Sequence, residues 1–441
     1  MSSNQQALQD VYIPARENHL PQEEKRTPVS PFRAQFAEKE TAPELEPMIK
    51  CRIASRWNQR IHQMVNAETY PFQQTLMGKS GPEVFSNNRE MYMLSSYDYL
   101  GLLGDPYIEN ASINAIKKYG TATGGARMLA GTNQLHRQLE AKLTAFKGKE
   151  AAITFSSGYM ANIAIINCLI QKNDRVIVDE HIHRSLMDAL SMVQVSFDKF
   201  KHNDTAHLDL LLSQPTEAKK TFIIIEGVYS MEGDICPLPE IVSLKKKHAA
   251  YLIIDESHSF GVMGENGRGI DEHFGVSPDD VDIYTSALSK AIPASGGFIA
   301  ASLQTVIFLQ HAATPFVFSG AMPPANAGAA LAALEILERE GPERIKKVFE
   351  NTAYLKRHLN RLGYNTGVSK SPIIPIIVGH TEKTLALSAK LYELGILANP
   401  VIFPAVPPGA DRLRLCVTAA HTKYMLDEII FAFDICRKIM A

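Results

Sequence analysis

Two segments in the middle of the chain carry the residue types of one chemical site. In the first, YLIIDESH, an apolar run ends at Asp255 and His258 follows three residues later. In the second, ALSKAIPASGG, Lys290 lies just beyond another strand-like run. A lysine amine forms a Schiff base with the aldehyde of pyridoxal 5'-phosphate (PLP), and a carboxylate pairs with the pyridine nitrogen of the same ring. The two segments therefore predict a PLP site built on Lys290 and Asp255.

The elements that must position these residues are short β-rich runs that alternate with helical patterns: AAITF, RVIV, TFIIIE, YLIID, VDIYT and GFIAAS. Their low polarity and the helical segments between them predict a largely parallel sheet that is covered on both faces. Ligands of such sheets bind beyond the carboxyl ends of the strands. The loops at those ends are residues 156–158, 179–183, 226–230, 255–258 and 286–290. Their convergence predicts one ligand site at this edge of the sheet.

Several residues of these loops have both a functional and a purely structural interpretation. Gly158 and Tyr159 open a helix-like segment whose unpaired backbone N–H groups would attract a phosphate, although a serine helix cap would explain the motif equally. His183 could stack on a cofactor ring or be an ordinary loop histidine. Asp255 ends an apolar strand and therefore needs a cationic partner, which a pyridinium would supply. His258 could donate a hydrogen bond to the phenolic oxygen of the cofactor. The structural interpretation of this pair is a capping aspartate and an ordinary loop histidine.

Length and patterning predict more than one domain. With 441 residues and 45% hydrophobic content, the chain can bury a large core. Helical segments at 331–340 and 343–362 lead into a separate C-terminal unit with short strand-like runs. The predicted parts are a flexible N-terminal extension (1–45), an N-terminal segment (46–110), a large PLP-binding domain (111–330) and a smaller C-terminal α+β domain (331–441).

Composition argues against several classes of protein. The net charge is −2, from 45 basic and 47 acidic residues, so no charge bias indicates nucleic acid or a membrane surface. No apolar run approaches the roughly 20 residues that span a bilayer, and the N-terminus lacks the apolar core of a secretory signal. The five cysteines show no CxxC spacing, which suits a reducing compartment. We therefore expect a cytoplasmic α/β protein without a metal site.

A series of motifs resembles a known family. In chain order from about residue 90 they are SSYDYLGL, GGARMLAGT, FSSGYMAN, VDEHIHRSL, EGVYSMEGD, IIDESHSFGVMGENGRG, SALSKAIPASGG, FSGAMPPA and RLRLCVTAAHT. They are similar to those of the α-oxoamine synthases, which are PLP enzymes of fold type I, the fold of aspartate aminotransferase. The resemblance covers most of the chain and implies a large, mostly parallel seven-stranded sheet domain with a smaller α+β domain.

The resemblance also implies an activity and an assembly. The family's enzymes are acyltransferases that condense an amino acid with an acyl thioester, on CoA or an acyl carrier protein. Loss of CO2 from the amino acid then gives an α-aminoketone. The active sites form between two subunits, so a homodimer is implied.

Residue roles follow from the same resemblance. Lys290 would form the internal aldimine and act as acid and base, while His183 would stack over the ring. Arg414, in RLRL, would hold the carboxylate of the amino acid. The other implied cofactor contacts come from Asp255 at the pyridine nitrogen, His258 at the phenolic oxygen, and Gly158, Tyr159 and Ser230.

The chain departs from the family pattern at four positions. Ala287 replaces a threonine that usually binds phosphate three residues before the lysine. Gly320 and Ala321 stand where a motif like FSTSxPP supplies a Ser or Thr to the neighbouring subunit. Tyr97 replaces an asparagine before DYLG. We expect a rearranged phosphate site with its lysine chemistry intact, and the amino acid, the acyl chain and the thioester carrier stay open.

Three alternatives remain at the level of sequence. An aminotransferase or lyase would use the same fold and cofactor. A metal-dependent hydrolase could use Asp179, His181, His183 and His258, but it would leave Lys290 without a role. A catalytically silent partner subunit would fit the altered phosphate site, although Lys290, which such subunits lack, argues against it.

Overall fold

The computed structural model describes residues 41–440, and most of the predicted N-terminal extension lies outside them. The described part includes a 3₁₀ turn, Pro47–Ile49, followed by helix α1 (Arg52–Asn66), which Cys51 caps. Trp57 is half-buried on this helix. Three short antiparallel strands follow: β1 (Leu76–Met77), β2 (Glu83–Ser86) and β3 (Arg89–Met93).

A seven-stranded sheet forms the centre of the molecule, as predicted. Its strands are β4 (Ala151–Phe155), β5 (Arg175–Asp179), β6 (Phe197–Phe200), β7 (Thr221–Glu226), β8 (Tyr251–Asp255), β9 (Ile283–Ser289) and β10 (Pro293–Ala301). They are arranged in the order β4-β10-β9-β8-β7-β5-β6, and only β10 runs antiparallel to its neighbours. The interior of β7 and β8 is buried on both faces, because helices cover both sides of the sheet.

The helices that precede, connect and follow these strands have between 4 and 14 residues. They are α2 (Pro106–Tyr119), α3 (Gln134–Lys147), α4 (Gly158–Leu169), α5 (Arg184–Val193), α6 (Thr205–Leu212), α7 (Leu238–Lys247), α8 (Ile270–Phe274), α9 (Leu303–Ala312) and α10 (Thr314–Val317). Polar caps fix the starts of α3 and α4, where the side chains of Asn133 and Ser157 accept hydrogen bonds from backbone N–H groups. The start of α4 is thereby held at the end of β4, next to the predicted site.

One long helix, α11 (Pro324–Arg361), joins the sheet to the C-terminal part. The sequence predicts two helices separated near Pro342, but the structure has one helix of 38 residues that runs through this proline. Proline removes one helical hydrogen bond, yet core-facing residues on both sides of it, such as Leu337 and Ile345, remain buried on a common side. Tertiary packing therefore outweighs the local break.

The C-terminal part is an α+β unit built on a three-stranded antiparallel sheet. Its elements are β11 (Ile373–Ile377), α12 (Thr381–Glu393), β12 (Ile396–Leu397), β13 (Pro400–Val401), β14 (Arg412–Cys416) and α13 (Lys423–Met440). Strand β12 pairs in parallel with β3 and so connects this unit to the N-terminal strands. In β14, Leu413 and Leu415 enter the unit's hydrophobic core, which leaves Arg412 and Arg414 on the opposite face. Among the described residues, no helix is long and apolar enough to cross a membrane.

Candidate active site

Lys290 and Asp255 lie at the carboxyl ends of two neighbouring strands. Strands β8 and β9 are parallel, with Asp255 opposite Thr285, and Lys290 comes directly after Ser289, the last residue of β9. A cavity of about 570 Å³ opens at this edge and is lined by Lys290, Tyr97 and Asp98 among others. The predicted pairing of an acid and a lysine at adjacent strand ends is therefore present in the fold.

Burial makes the Lys290 amine more reactive than an ordinary lysine. Loss of solvent lowers its pKa to about 8, although the carboxylate of Asp255 acts in the opposite direction. The positive charge of Arg414 adds to the lowering. An amine with this pKa is partly neutral near pH 7 to 8, so it can attack an aldehyde and can also take up a proton.

Asp255 is held in a fixed orientation by two donors. The side-chain amide of Asn162 donates to Oδ2 at 2.7 Å, and the backbone N–H of Ser257 donates to Oδ1 at 2.9 Å. Asn162 in turn donates to the hydroxyl of Ser185 at 2.8 Å. Sequence reasoning missed Asn162, yet a signal existed, because it lies one helical turn after Gly158 and so faces the same side of α4.

A second buried carboxyl group lies beside Asp255. Glu226 ends β7 in register with Asp255, and its Oε1 has no hydrogen-bond partner. Burial raises the pKa of Glu226 well above its usual value, and repulsion from Asp255 raises it further. Glu226 therefore holds its proton more strongly than an ordinary carboxyl group does.

A buried ion cluster anchors the chain just after Asp255. Lys147 donates to Glu256 at 2.7 Å and to Asp271 at 2.9 Å, and both side chains of the Lys147–Glu256 pair are fully buried. The other oxygen of Glu256 accepts from the N–H of Ile270. These bonds fix Glu256, two residues before His258, and so limit how far the histidine can move.

His258 is buried at the wall of the site and is neutral. Its Nδ1 lies 2.8 Å from the hydroxyl of Tyr99, with which it shares a hydrogen bond. Burial lowers the pKa of His258 well below its usual value, and the charges of Lys290 and Arg414 lower it further. Tyr99 was not singled out from the sequence, although it lies within the DYLG motif. With Nδ1 occupied by Tyr99, only Nε2 remains to contact a ligand.

The amino end of α4 packs very closely against two strands. A Cβ on Gly158 would lie 2.7 Å from Cβ of Ala287, and a Cβ on Gly297 would lie 2.5 Å from the nitrogen of Gly158. The backbone of α4 can approach β9 and β10 this closely only because these positions have little or no side chain. Unpaired N–H groups in the first turn of a helix attract anions, so this helix start stays the predicted position of a phosphate. Ala287, however, brings no hydroxyl to it.

Tyr159 lies in α4 and His183 at the start of α5, beside the predicted phosphate position at the start of α4, which we call the phosphate cup. The ring of Tyr159 is directed to α5, where its hydroxyl donates to Asp188 at 2.7 Å, so its backbone rather than its ring faces the cup. His183 caps the start of α5 and is exposed, with its Nδ1 2.8 Å from the hydroxyl of Ser185. Ser185 therefore connects His183 with Asn162 and, through it, with Asp255.

Arg414 enters the site from the C-terminal unit. It is 8% exposed, and its Nη1 donates to the hydroxyl of Tyr97 at 3.0 Å while the guanidinium carbon lies 4.5 Å from the centre of that ring. Its Nε and Nη2 have no partner. Buried guanidinium nitrogens without an acceptor are rare, and two of them on one edge match the geometry of a carboxylate.

Three further positions were singled out from the sequence: Ser230, Gly320 and Ala321. Ser230 is half-buried in the turn after β7, which is closed by a bridge between Val228 and Ile235. Gly320 forms a bridge with Ala126, and the N–H of Ala321 donates to Gly125. The segment 124–132 and the segment before α11 therefore pack together within one chain.

The metal-site alternative finds no support in this geometry. Among residues 41–440 there is no group of three His, Cys, Asp or Glu side chains placed to hold a metal ion. The carboxylate of Asp179 is instead bonded to His202 and Asn203. The Nδ1 atoms of His183 and His258 bond to hydroxyl groups.

Comparisons with known proteins agree with this arrangement. Residues 89–433 match the family model of aminotransferase class I and II. The chain is 43% identical to the 8-amino-7-oxononanoate synthase of Symbiobacterium thermophilum over 81% of this chain and 91% of that protein. It is 40% identical to the serine palmitoyltransferase of Bacteroides thetaiotaomicron over 82% of this chain and 91% of that one.

Solved structures give the same result. The serine palmitoyltransferase of Sphingomonas wittichii superposes with a TM-score of 0.84 at 32% identity, over 90% of this chain and 99% of that one. A structure of serine palmitoyltransferase with its PLP internal aldimine gives a TM-score of 0.84 at 30% identity, again over 90% and 99% of the two chains.

Proposed function

This chain belongs to the α-oxoamine synthases, within the class I and II aminotransferase family of fold type I, and on that premise we propose its reaction and residue roles. It is a PLP-dependent acyltransferase that condenses an amino acid with an acyl thioester. In this reaction the amino-acid Cα bonds to the acyl carbon, the C–S bond breaks to release a thiol, and the carboxyl group leaves as CO2. The product is an α-aminoketone.

The residues present fit the cofactor. Asp255 has a carboxylate fixed by two donors, Lys290 follows the neighbouring strand, and the closely packed start of α4 offers unpaired N–H groups to a phosphate. We assign Asp255 to the pyridine nitrogen, His258 to the phenolic oxygen, and Gly158 and Tyr159, through their backbone, to the phosphate. When bound, PLP supplies an electron sink for the pair of electrons left on Cα when a bond to that carbon breaks.

The observation that carries this proposal is the free edge of Arg414. Two buried guanidinium nitrogens lack an acceptor, and the charge of Arg414 is close enough to Lys290 to lower the pKa of its amine. A carboxylate bound to this edge holds the amino acid beside Lys290. Lys290 can then remove a proton at Cα, and its pKa of about 8 suits both uptake and return of that proton near neutral pH.

We also assign roles in the site to three further residues, His183, Ser230 and Tyr97. His183 lies exposed at the start of α5 and is assigned to the face of the cofactor ring. Ser230 is assigned to the cofactor from the turn after β7. Tyr97 bonds to Arg414 and lines the cavity, so it helps to shape the site for the amino acid, for which we propose a small one such as glycine, alanine or serine.

We also propose a homodimer that acts in the cytoplasm. The packed segments at Gly125 and Ala321 leave Leu129 84% exposed and Phe318 82% exposed, which is unusual for large apolar side chains in adjoining loops. A second copy of the chain would cover them. The five cysteines are all free thiols, which suits a reducing compartment.

The test combines a spectrum with product analysis. We expect the purified protein to bind PLP at Lys290, so that borohydride reduction fixes the label on this residue, and titration with glycine, alanine or serine should change the absorbance. Incubation with an acyl-CoA or acyl carrier protein should release CO2 and an aminoketone. Lys290→Ala should abolish turnover. Retained turnover in this variant, or formation of a keto acid with a transferred amine, would contradict the proposal.

A further inference from the structure

Two sets of ion pairs, joined by the loop 229–234, connect the turn before His183 with the strand that carries Arg414. The first set begins at Asp179, the fully buried last residue of β5, whose Oδ1 lies 2.9 Å from Nδ1 of His202. The opposite ring nitrogen, Nε2, lies 2.9 Å from Asp234. None of these residues is needed to bind cofactor or substrate in the proposed function.

The imidazole between the two acids is charged at neutral pH. Burial of the His202 ring acts to lower its pKa, but the bonds to Asp179 and Asp234 outweigh this and raise the pKa to about 10. His181 stacks on this ring at 4.2 Å, with an angle of 23° between the planes. Asn203 adds bonds from its backbone N–H to Asp179 and from its amide to Asp234. The two acids are thus fixed relative to each other.

The second set joins the loop 229–234 to the C-terminal unit. Glu232 of this loop lies 3.2 Å from Nη1 of Arg412, which also donates to the carbonyl of Met231 at 3.0 Å. Arg412 is 6% exposed. The loop also meets the C-terminal unit at Gly233, whose carbonyl accepts from the N–H of Lys370 at 2.9 Å.

The contact between Glu232 and Arg412 can influence Arg414 through the geometry of strand β14. Arg412 and Arg414 are two residues apart on β14 and therefore point to the same face. Fixing Arg412 against the loop fixes the depth and tilt at which Arg414 enters the site. At the other end, Asp179 accepts from the N–H of His181 at 2.9 Å and so shapes the turn that leads to His183.

We propose that Asp179, His202, Asp234, Glu232 and Arg412 form a positioning relay that aligns Arg414 with His183 across the site. The inference rests on the proposed function, because it assigns the relay to the binding of an amino-acid carboxylate. Glu232 and Arg412 are positioning residues, since they act through Arg414 and do not touch the substrate. Their loss shifts Arg414 without removing it, so binding of the amino acid suffers more than the chemistry that follows.

The test compares Glu232→Gln with wild-type holoenzyme. The probes are glycine, alanine and serine, and the amino-acid Kd is read from the change in PLP absorbance, with KM and kcat from product formation. We expect the Kd and the KM to rise about tenfold and kcat to change less than about threefold, because a misplaced binding group costs chiefly affinity. Glu232→Asp, which keeps the charge, should recover part of the loss.

A control ion pair and a double variant test whether the change in amino-acid Kd comes from the contact between Glu232 and Arg412. Asp434 pairs with Arg437 at 3.4 Å on the exposed face of α13, so Asp434→Asn should leave the amino-acid Kd unchanged. The double variant Glu232→Gln/Arg412→Met should bind the amino acid no more weakly than Arg412→Met alone, because the two side chains act as one unit. Asp234→Asn tests the middle of the relay, where Asp234 bonds to His202, and should raise the same Kd.

The outcomes separate this inference from the proposed function. If wild-type protein responds to amino acids and Glu232→Gln gives the same Kd within twofold, the relay is wrong and the proposed function stands. A lower melting temperature with an unchanged Kd would equally overturn it, because the pair would then be only structural. If the wild-type spectrum responds to no amino acid, the proposed function fails and the relay fails with it.

Discussion

The environment of Lys290 sets the pH at which its amine can react. Burial lowers its pKa to about 8, so in PLP-free protein the rate of reaction with added PLP should rise with pH and level off above about 8. An ordinary lysine would continue to gain reactivity toward its pKa of about 10.4. The measurement is the initial rate of borohydride-trapped label on Lys290 at a series of pH values.

Asp255 provides the control for this pH dependence. Its carboxylate raises the pKa of Lys290 against the effect of burial, so Asp255→Asn should move the midpoint to lower pH. The isosteric amide keeps the side-chain volume. A wild-type midpoint near 10, or a midpoint that rises in Asp255→Asn, would contradict the assigned electrostatics.

Gly158 tests the close packing at the phosphate cup. In Gly158→Ala the new Cβ would lie 2.7 Å from Cβ of Ala287, which forces the start of α4 away from β9. We expect a loss of about 1–3 kcal/mol in the free energy of unfolding, as for other overpacked positions, and a PLP affinity at least tenfold weaker. PLP titration followed by protein fluorescence and denaturant unfolding would measure both.

Gly81→Ala is the matched control, since the nearest atom to its new Cβ is the carbonyl oxygen of Glu83 at 3.8 Å. It should bind PLP and unfold like the wild type. Wild-type PLP affinity in Gly158→Ala would show that the phosphate does not lie at the start of α4.

At the scale of elements, the His202 bridge gives β5 and the loop 229–234 a pH-dependent connection. The pKa of His202 is raised from 6.5 to about 10 by Asp179 and Asp234 despite burial. The folded state therefore binds its proton more tightly than the unfolded state does. The stabilisation is complete below pH 6.5 and is lost as the pH rises toward 10.

His202→Gln should remove this dependence. The difference in melting temperature between wild type and variant should be largest near pH 6.5 and should shrink toward pH 10. Lys290, whose lowered pKa acts with the opposite sign between about 8 and 10.5, is present in both proteins and cancels in the comparison. A difference that stays constant with pH would contradict a charged His202.

The elements that the sequence predicted well are those with a strong local signal. Apolar runs such as YLIID and TFIIIE became central strands, because a strand buried on both faces needs no polar alternation. The periodicity in α11 predicts two helical segments, 331–340 and 343–362, because the packing that carries one helix through Pro342 is not visible in local sequence. The alternation in RLRLC is typical of a strand, but it does not show that Arg412, on the same face as Arg414, contacts Glu232.

The parts of the site that sequence reasoning missed depend on contacts between distant segments. Asn162 orients Asp255 across 93 positions of the chain, and Tyr99 reaches His258 across 159. The link between Glu232 and Arg412 spans 180. Motifs identified the residues that we assign to the cofactor and substrate, whereas the residues that hold those in place came only from the three-dimensional fold.

At the scale of the whole molecule, the exposed loops at Leu129 and Phe318 predict an interface between two copies of the chain. The double variant Leu129→Asp/Phe318→Asp places two charges on a surface that the homodimer would desolvate. We expect its mass in solution to fall from about twice the chain mass of 48.8 kDa to that of one chain. Light scattering after size-exclusion chromatography measures this directly.

Phe431→Asp serves as the control, because Phe431 is 63% exposed on α13 and belongs to the C-terminal unit rather than to these loops. It should remain a dimer.

Because Gly320 and Ala321 adjoin the tested surface and lack the hydroxyl that the family pattern supplies to a neighbouring subunit, the monomeric variant should keep much of its PLP affinity. A monomeric wild type, or a dimer that survives both charges, would show that these apolar side chains have another role. Loss of PLP on dissociation would instead show that the partner chain completes the phosphate cup through its backbone.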